Sequence, residues 1–159
     1  MGKIERFEDL RSWQKARQVA NAVYDLTNRH EFNKDFRLCI QVRNAAGSVM
    51  HNIAEGFDAG SDAEFIRFLK IARRSASEVQ SQLYLSLDRQ YITREELKKT
   101  YEMATETKRL INGLISYLRQ SKPSDKSISE ILADYQINDY KTNDYQTNDY
   151  RTNDYPTDD

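Results

Sequence analysis

The chain has 159 residues, of which 38% are hydrophobic and 31% are charged, with a net charge of −1. No run of about 18 apolar residues is present and the first residues lack an apolar signal segment, so we predict a cytoplasmic protein without a membrane span. The single cysteine, Cys39, excludes an internal disulfide and a cysteine-based zinc site. Five glycines and two prolines are few for this length, which disfavours a turn-rich β fold and glycine-rich phosphate loops.

Charge is distributed unevenly along the chain. Residues 123–159 hold 3 of the 24 Lys and Arg and 9 of the 25 Asp and Glu, a net charge of −6, which leaves 21 against 16, or +5, for residues 1–122. Binding to nucleic acid depends on the local field of a folded domain, so the balance of the whole chain conceals a basic body. We predict a folded domain over 1–122 and a flexible linker and tail over 123–159.

The tail is a low-complexity repeat of Asn-Asp-Tyr units. Its tyrosines recur every five residues from Tyr135 to Tyr155, a period that fits neither a helix nor a strand, so no single face of the segment can be buried. We predict a disordered tail, preceded by a weak helix over Ser127–Tyr135. Two interpretations stay open: a tandem expansion without a role, or a multivalent acidic patch that folds back on the basic body or recruits a partner.

Two amphipathic helices are predicted in the first third of the chain. Apolar residues at spacings of three and four place the first helix over about Glu8–Asn28. The second helix begins at Lys34 or Asp35 and ends at about Glu55, with Gly56 as its C-terminal stop.

Two further helices open with capping boxes. The third begins at Ser61-Asp62-Ala63-Glu64 and the fourth at Thr93-Arg94-Glu95-Glu96, each followed by apolar residues at helical spacing, and Pro123 ends the fourth. Long helices joined by short connections such as Gly56–Gly60 pack as antiparallel neighbours. We therefore predict an all-α fold, an antiparallel up-down four-helix bundle with a disordered acidic C-terminal repeat tail.

Additional apolar residues lie outside the predicted seams of the second and third helices. They are Phe36, Ile40, Met50, Ile66, Phe68, Ile71 and Tyr84. They give these two helices a second apolar side, which either mediates self-association or widens the core and covers loops.

The residues form no recognisable catalytic constellation. Neither His30 nor His51 has a glutamate three residues before it, as a di-metal bundle requires. Nucleophile-elbow, Walker and dinucleotide-binding glycine motifs are absent. Cys39 lies among apolar neighbours, which is typical of a buried thiol and not of a nucleophile. We predict that the protein is not an enzyme and has neither a metal nor a cofactor.

A polar stripe borders the apolar seam of the second helix and consists of Gln41, Ser48, Asn52 and Glu55. We favour hydrogen bonds that fix the helix register, with Glu55 or Asn52 reaching the turn after Gly56. A ligand- or partner-binding stripe is the alternative. A third possibility is a metal or small-molecule site around His51, Asn52 and Glu55.

Basic residues also align on helix faces, namely Arg67, Lys70 and Arg74 on the third helix and Arg11 and Lys15 on the first, while Lys98 and Lys99 precede Lys108 and Arg109 on the fourth. Such spacing suits phosphates, but any bundle in water also displays charged outer faces. No base-reading motif accompanies these residues, so binding to a nucleic acid would depend on phosphate charge and on shape.

Four separated segments match a known family in order and spacing. They are Phe7-Glu8-Asp9-Leu10-Arg11-Ser12-Trp13-Gln14-Lys15-Ala16, Gln41-Val42-Arg43-Asn44-Ala45-Ala46-Gly47-Ser48-Val49, Asn52-Ile53-Ala54-Glu55-Gly56 and Phe68-Leu69-Lys70-Ile71-Ala72-Arg73-Arg74-Ser75-Ala76-Ser77-Glu78. Over roughly residues 5–120 the chain resembles the bacterial four helix bundle protein family, also called the twenty-three-S ribosomal RNA intervening-sequence proteins.

This resemblance implies a homopentamer with no known enzymatic activity. Related bundles, the accessory variability determinant proteins, serve diversity-generating retroelements, where a basic pentamer binds a reverse transcriptase and nucleic acid. By analogy we expect a non-enzymatic, oligomeric scaffold that binds RNA or a reverse-transcriptase-like nucleoprotein. The candidate phosphate contacts are Arg11, Lys15, Arg43, Arg67, Lys70, Arg73 and Arg74. The competing hypothesis is a protein-protein interaction module that has no nucleic-acid role.

Overall fold

The structure, a computed structural model, describes residues 4–120, and the regular elements over that range are all helical. A 3-10 turn at Phe7–Asp9 precedes five α-helices: α1 (Arg11–Thr27), α2 (His30–Lys34), α3 (Phe36–Phe57), α4 (Asp62–Asp88) and α5 (Arg94–Gln120). The predicted all-α class is confirmed. The tail over 123–159 and the weak helix over 127–135 lie outside the described residues.

The four long helices form an antiparallel bundle. Helix α1 packs beside α3 and α5, and α4 packs beside the same two helices, so α1 and α4 are diagonal to each other. The direction of the helices follows from their contacts. Arg43, near the start of α3, donates to Thr27 at the end of α1, and Gly56, near the end of α3, lies against Phe65 at the start of α4. The predicted four-helix bundle is confirmed.

The core extends along the whole bundle because each long helix turns its three-and-four-spaced apolar side chains inward. One half of the core contains Phe65, which is fully buried, and we call this half the Phe65 end. The other half contains Phe32, which is 1% exposed, and we call it the Phe32 end. Full burial of each large side chain contributes about 1.5–3 kcal/mol, so the apolar interior is the main source of stability.

Both predicted capping boxes are present. The Ser61 hydroxyl accepts a hydrogen bond from the Glu64 backbone N–H at 3.3 Å. At the start of α5, the Thr93 hydroxyl accepts from the Glu96 N–H at 3.2 Å, and the Glu96 carboxylate accepts from the Thr93 N–H at 2.9 Å. These side chains satisfy backbone donors that the first helical turn leaves unpaired.

The predicted stop at Gly56 is wrong. Helix α3 continues through Gly56 to Phe57, and Gly56 does not adopt a positive φ. A Cβ atom at this position would lie 2.6 Å from Cδ2 of Phe65 and 2.8 Å from Cβ of Phe68. Glycine is therefore needed here because α3 and α4 approach each other closely, and not because the helix ends.

The start of the bundle also differs from the prediction. Leu10 adopts an extended conformation (ψ 122°) and separates the 3-10 turn from α1, so the first helix begins at Arg11 and not at Glu8. The connection before α3 contains the short helix α2, whereas no helix was predicted between the first and second predicted helices. Burial of Phe32 in the core explains this helix. The helix could not be predicted, because a single apolar side chain has no periodicity from which a five-residue helix could be recognised.

The additional apolar residues of α3 and α4 fall into two groups. Met50, Ile66, Phe68 and Ile71 are half-buried and widen the core, as one of the two interpretations requires. By contrast, Phe36 is 70% exposed, and Ile40 and Tyr84 are 41% and 40% exposed. These exposed side chains lie toward the Phe32 end of the bundle.

Candidate nucleic-acid interface

The outer side of α4 carries a basic stripe. Arg67, Lys70 and Arg74 are exposed because the apolar residues between them face the core. The Arg67 guanidinium lies 4.6 Å from the centre of the Phe68 ring and 3.6 Å from the Glu64 carboxylate. For Lys70 and Arg74, no carboxylate of residues 4–120 lies within ion-pair distance.

Helix α5 contributes further basic residues beside this stripe, because it packs antiparallel to α4 in a defined register. The Arg73 guanidinium donates to the side-chain oxygen of Asn112 at 2.9 Å. Two turns further along α4, the Gln80 amide donates to the Thr105 hydroxyl at 2.8 Å. These hydrogen bonds place residues 107–120 of α5 beside residues 65–77 of α4.

The two adjoining segments contain seven Lys and Arg residues and no Asp or Glu. We call this surface the basic face, and it consists of Arg67, Lys70, Arg73, Arg74, Lys108, Arg109 and Arg119. Lys108 also donates to the Gln80 amide oxygen at 3.1 Å, which holds its stem against the bundle. Sequence reasoning missed Arg119 and the continuity of the surface. The signal that would have revealed both is the absence of Asp and Glu between Thr107 and Gln120.

Arg43 has a structural position at the Phe32 end. Its guanidinium donates to the Thr27 hydroxyl at 2.7 Å and to the Asn28 side-chain oxygen at 3.0 Å. It also stacks over the Tyr24 ring, 4.8 Å from its centre. Arg43 therefore joins α3 to the end of α1, away from the basic face.

Arg11 and Lys15 lie on α1, which is diagonal to α4. Both side chains are half-buried, and the Lys15 ammonium pairs with the Glu106 carboxylate at 2.9 Å. The seven candidate phosphate contacts thus divide among three regions. Four of them share the basic face: Arg67, Lys70, Arg73 and Arg74.

The polar stripe of α3 also divides. The Ser48 hydroxyl lies 2.9 Å from the Ser75 hydroxyl of α4 and accepts from the Asn52 amide at 3.0 Å, so these groups link α3 to α4. Asn52 also donates to the Ser48 carbonyl, which turns its amide away from the turn after α3, contrary to the prediction. Glu55 is exposed, and Gln41 lies on a groove at the Phe32 end.

Within residues 4–120 no group of three or more His, Cys, Asp and Glu side chains is arranged to hold a metal ion. The Cys39 thiol is buried and donates to the Phe32 carbonyl at 3.1 Å. Burial raises the pKa of this thiol, which disfavours the thiolate that a nucleophile requires. None of the described helices has the length and apolar character to cross a membrane.

These features define a class of protein: an antiparallel four-helix bundle with one positively charged side. The sequence model of the 23S rRNA-intervening sequence protein family matches residues 8–113, and the chain belongs to this family. A crystal structure of a protein of unknown function from the S23 ribosomal protein family of Bacteroides thetaiotaomicron VPI-5482 is similar, with 32% identity and a TM-score of 0.56 over 65% of this chain and 94% of that chain. No protein with a curated description matches. The expected family is thereby confirmed.

Proposed function

We propose that this chain is a non-enzymatic, oligomeric scaffold of the cytoplasm that binds RNA or a nucleoprotein through the basic face. The observation that carries this proposal is the combination of seven Lys and Arg residues with no Asp or Glu on two adjoining helix segments. An ordinary solvated helix face intersperses both signs of charge, whereas here a carboxylate, that of Glu64, pairs with Arg67 only at one edge, so the face concentrates positive potential. Phosphate groups are the partners that such a potential attracts.

The basic face is suited to the phosphate backbone and not to bases. Its side chains project from two antiparallel helices and include no aromatic residue on which a base could stack, since the tyrosine and phenylalanines nearby are at least half-buried. Affinity should therefore depend on charge and shape and vary little with sequence. A double-stranded or structured RNA, alone or within a reverse-transcriptase-like nucleoprotein, is the partner we propose.

Self-association is the second part of the proposal, and a homopentamer is the assembly we favour. Phe36, Ile40, Gly47 and Ala54 follow one line along the outer side of α3, at spacings of four and seven residues. Arg43 falls on the same line, three residues after Ile40, but its guanidinium is turned toward Thr27 and Asn28 at the end of α1. Phe36 is 70% exposed. An exposed aromatic ring with an exposed isoleucine one turn away is typical of a surface that is buried by another copy.

The alternative of a protein-interaction module is favoured by the same exposed side chains, together with Tyr84 and Leu85, which are 40% and 42% exposed. The two hypotheses differ in their dependence on salt. Binding to phosphates weakens steeply as salt rises, whereas binding through apolar surface is nearly insensitive to salt.

The direct test is RNA binding by the double variant Lys70→Glu with Arg109→Glu, measured by fluorescence anisotropy between 50 and 300 mM salt, over which the Debye length falls from about 14 Å to about 6 Å. We expect affinity to fall at least about tenfold, and the slope of log K against log salt to decrease by about one for each lost phosphate contact. The matched control, Lys98→Glu with Lys99→Glu, makes the same charge change near the start of α5 and should retain wild-type affinity.

Equal losses in both double variants would show that only net charge matters, and the basic face would not be the binding site. Wild-type affinity in the Lys70→Glu, Arg109→Glu variant would likewise exclude the basic face as the binding site. If the unaltered chain bound no RNA, the nucleic-acid role would be excluded and the protein-interaction module would remain.

A further inference from the structure

A groove separate from the basic face lies at the Phe32 end of the bundle, where α3 begins and α4 ends. Its volume is about 340 Å³, within the range of small-ligand sites. Leu38 and Leu85 provide its apolar lining, and Arg37, Arg89 and Tyr91 provide polar groups at its edge. Leu85 is 42% exposed, and its side chain lines this groove.

The walls of the groove are held in place by hydrogen bonds and ring stacking. Asp35 caps α3 by accepting from the Leu38 N–H at 3.1 Å, and its second carboxylate oxygen accepts from the Tyr91 hydroxyl at 3.4 Å. The Tyr91 ring stacks on Phe32, with 4.9 Å between ring centres. The Tyr91 N–H also donates to the Ser86 carbonyl and so fixes the turn after α4. The groove is therefore preformed.

The groove is lined by two exposed arginines, Arg37 and Arg89, and by one carboxylate, that of Asp35, so its formal net charge is +1. Neither the Arg37 nor the Arg89 guanidinium has an ion-pair partner among residues 4–120. The Asp35 carboxylate accepts hydrogen bonds from the Leu38 N–H and the Tyr91 hydroxyl. An apolar lining between two arginines fits a ligand that places an aromatic ring beside a carboxylate.

The chain itself contains such a ligand five times. Residues 121–159 include Asp-Tyr pairs at 134–135, 139–140, 144–145, 149–150 and 154–155, and this segment is strongly acidic. Each pair offers one carboxylate and one ring on adjacent residues. Five equivalent copies on one tether also raise the effective concentration of the ligand at the groove.

The length of the segment allows this contact. Helix α5 starts at the Phe32 end and has 27 residues, so it leads the chain about 40 Å away from the groove. The 19 residues from Gln120 to Asp139 can span about 63 Å when extended. The second and later Asp-Tyr pairs therefore reach the groove without full extension.

We propose that an Asp-Tyr pair of the C-terminal repeat docks in this groove of its own chain. The tyrosine ring packs against Leu38 and Leu85, and the aspartate carboxylate lies between Arg37 and Arg89. The repeat then has a binding site on the body of the protein, and its acidic charge is held at the Phe32 end, away from the basic face.

Photo-crosslinking of the full-length chain tests this contact. Tyr145 is replaced by p-benzoylphenylalanine, which keeps an aromatic ring at the position, and the crosslinked residues are mapped by mass spectrometry. We expect crosslinks concentrated on Leu38 and Leu85. In the background of Arg37→Glu with Arg89→Glu their yield should fall at least fivefold, whereas Lys98→Glu with Lys99→Glu, which makes the same charge change, should leave it unchanged. Circular dichroism checks that each variant is folded.

Three results would overturn the proposal. Crosslinks spread over the bundle would indicate no specific site, and an equal loss of yield in both double variants would indicate attraction to net charge alone. In a mixture of ¹⁴N and ¹⁵N chains, docking within one chain gives crosslinks of a single isotope. A statistical share of mixed-isotope crosslinks would instead assign the contact to a second copy and exclude docking within the chain.

Discussion

Gly56 shows how one residue sets the distance between two helices. A Cβ atom here would overlap with Phe65 and Phe68 of α4. We therefore expect Gly56→Ala to destabilise the protein by about 2 kcal/mol, because the overlap outweighs the roughly 1 kcal/mol that alanine gains over glycine inside a helix. Urea unfolding followed by circular dichroism measures the change.

The matched control is Gly47→Ala, nine residues earlier in the same helix. Its Cβ atom would meet only the side chain of His51, at 3.4 Å, and this exposed imidazole can move. Here the gain in helix propensity should dominate and raise stability by up to about 1 kcal/mol. If both substitutions stabilised the protein, close packing at Gly56 would not be the reason for glycine there.

Gln90 is the one non-glycine residue with positive φ (60°) among those the structure describes. It follows the C-cap of α4 in a Schellman arrangement, in which the Gln90 N–H donates to Leu87 and the Tyr91 N–H to Ser86. A left-handed backbone costs an L-residue about 1–2 kcal/mol. We expect Gln90→Gly to raise the free energy of unfolding by about 1 kcal/mol, whereas Gln90→Val should lower it, as thermal unfolding would show. A loss of stability with glycine would contradict this account.

At the scale of elements, an ion pair ties the connection between α1 and α2 to the start of α5. Arg29 donates to both carboxylate oxygens of Glu96, one of them at 2.8 Å. This hydrogen bonding lowers the pKa of Glu96 from its ordinary value of 4.5. The contribution of this ion pair to stability is therefore complete above pH 4.5, and it is lost as the pH falls through the lowered pKa of Glu96 in the folded state.

Glu96→Gln should destabilise the protein at pH 7 by about 1 kcal/mol, a modest value because Arg29 is 49% exposed and the pair is partly screened. The difference from wild type should vanish below the lowered pKa, where both side chains are neutral. Urea unfolding between pH 7 and pH 3 tests this. Glu95→Gln, which removes an exposed charge from the same turn, is the control, and a difference independent of pH would show that the ion pair is not its source.

The polar contacts that shape the helices and join them could be predicted only in part from the sequence. The caps at Ser61 and Thr93 could be predicted because a capping box is local and needs only four consecutive residues. The pairing of Ser48 with Ser75, and that of Arg73 with Asn112, could not be predicted because each depends on the register between two helices. The same limit explains why Arg43 and Lys15, both among the candidate phosphate contacts, prove to be engaged within the bundle.

At the scale of the whole molecule, the exposed apolar side chains on the outer line of α3 lead to a prediction about assembly. Native mass spectrometry of the 18.7 kDa chain should give a five-fold assembly. Phe36→Ser with Ile40→Ser should convert most of it to smaller species, because these two exposed side chains supply the largest apolar area on that line.

The control for assembly is Tyr84→Ser with Leu85→Ser, which removes comparably exposed apolar side chains from α4. We expect this variant to keep the assembly of the wild type. A monomeric wild-type chain, or an assembly that survives the Phe36→Ser, Ile40→Ser variant, would show that α3 does not form the interface.

The sequence by itself determined the helical class, the number of long helices, two of their caps and the family, because these follow from periodicity and from motifs of consecutive residues. Only the tertiary structure decided that Gly56 is a packing residue, that α2 exists, and that α4 and α5 join their positive charges into one face while Arg11, Lys15 and Arg43 lie elsewhere. The physical reason is that a helix fixes neighbours three and four residues apart, whereas contact between helices depends on how their cores pack.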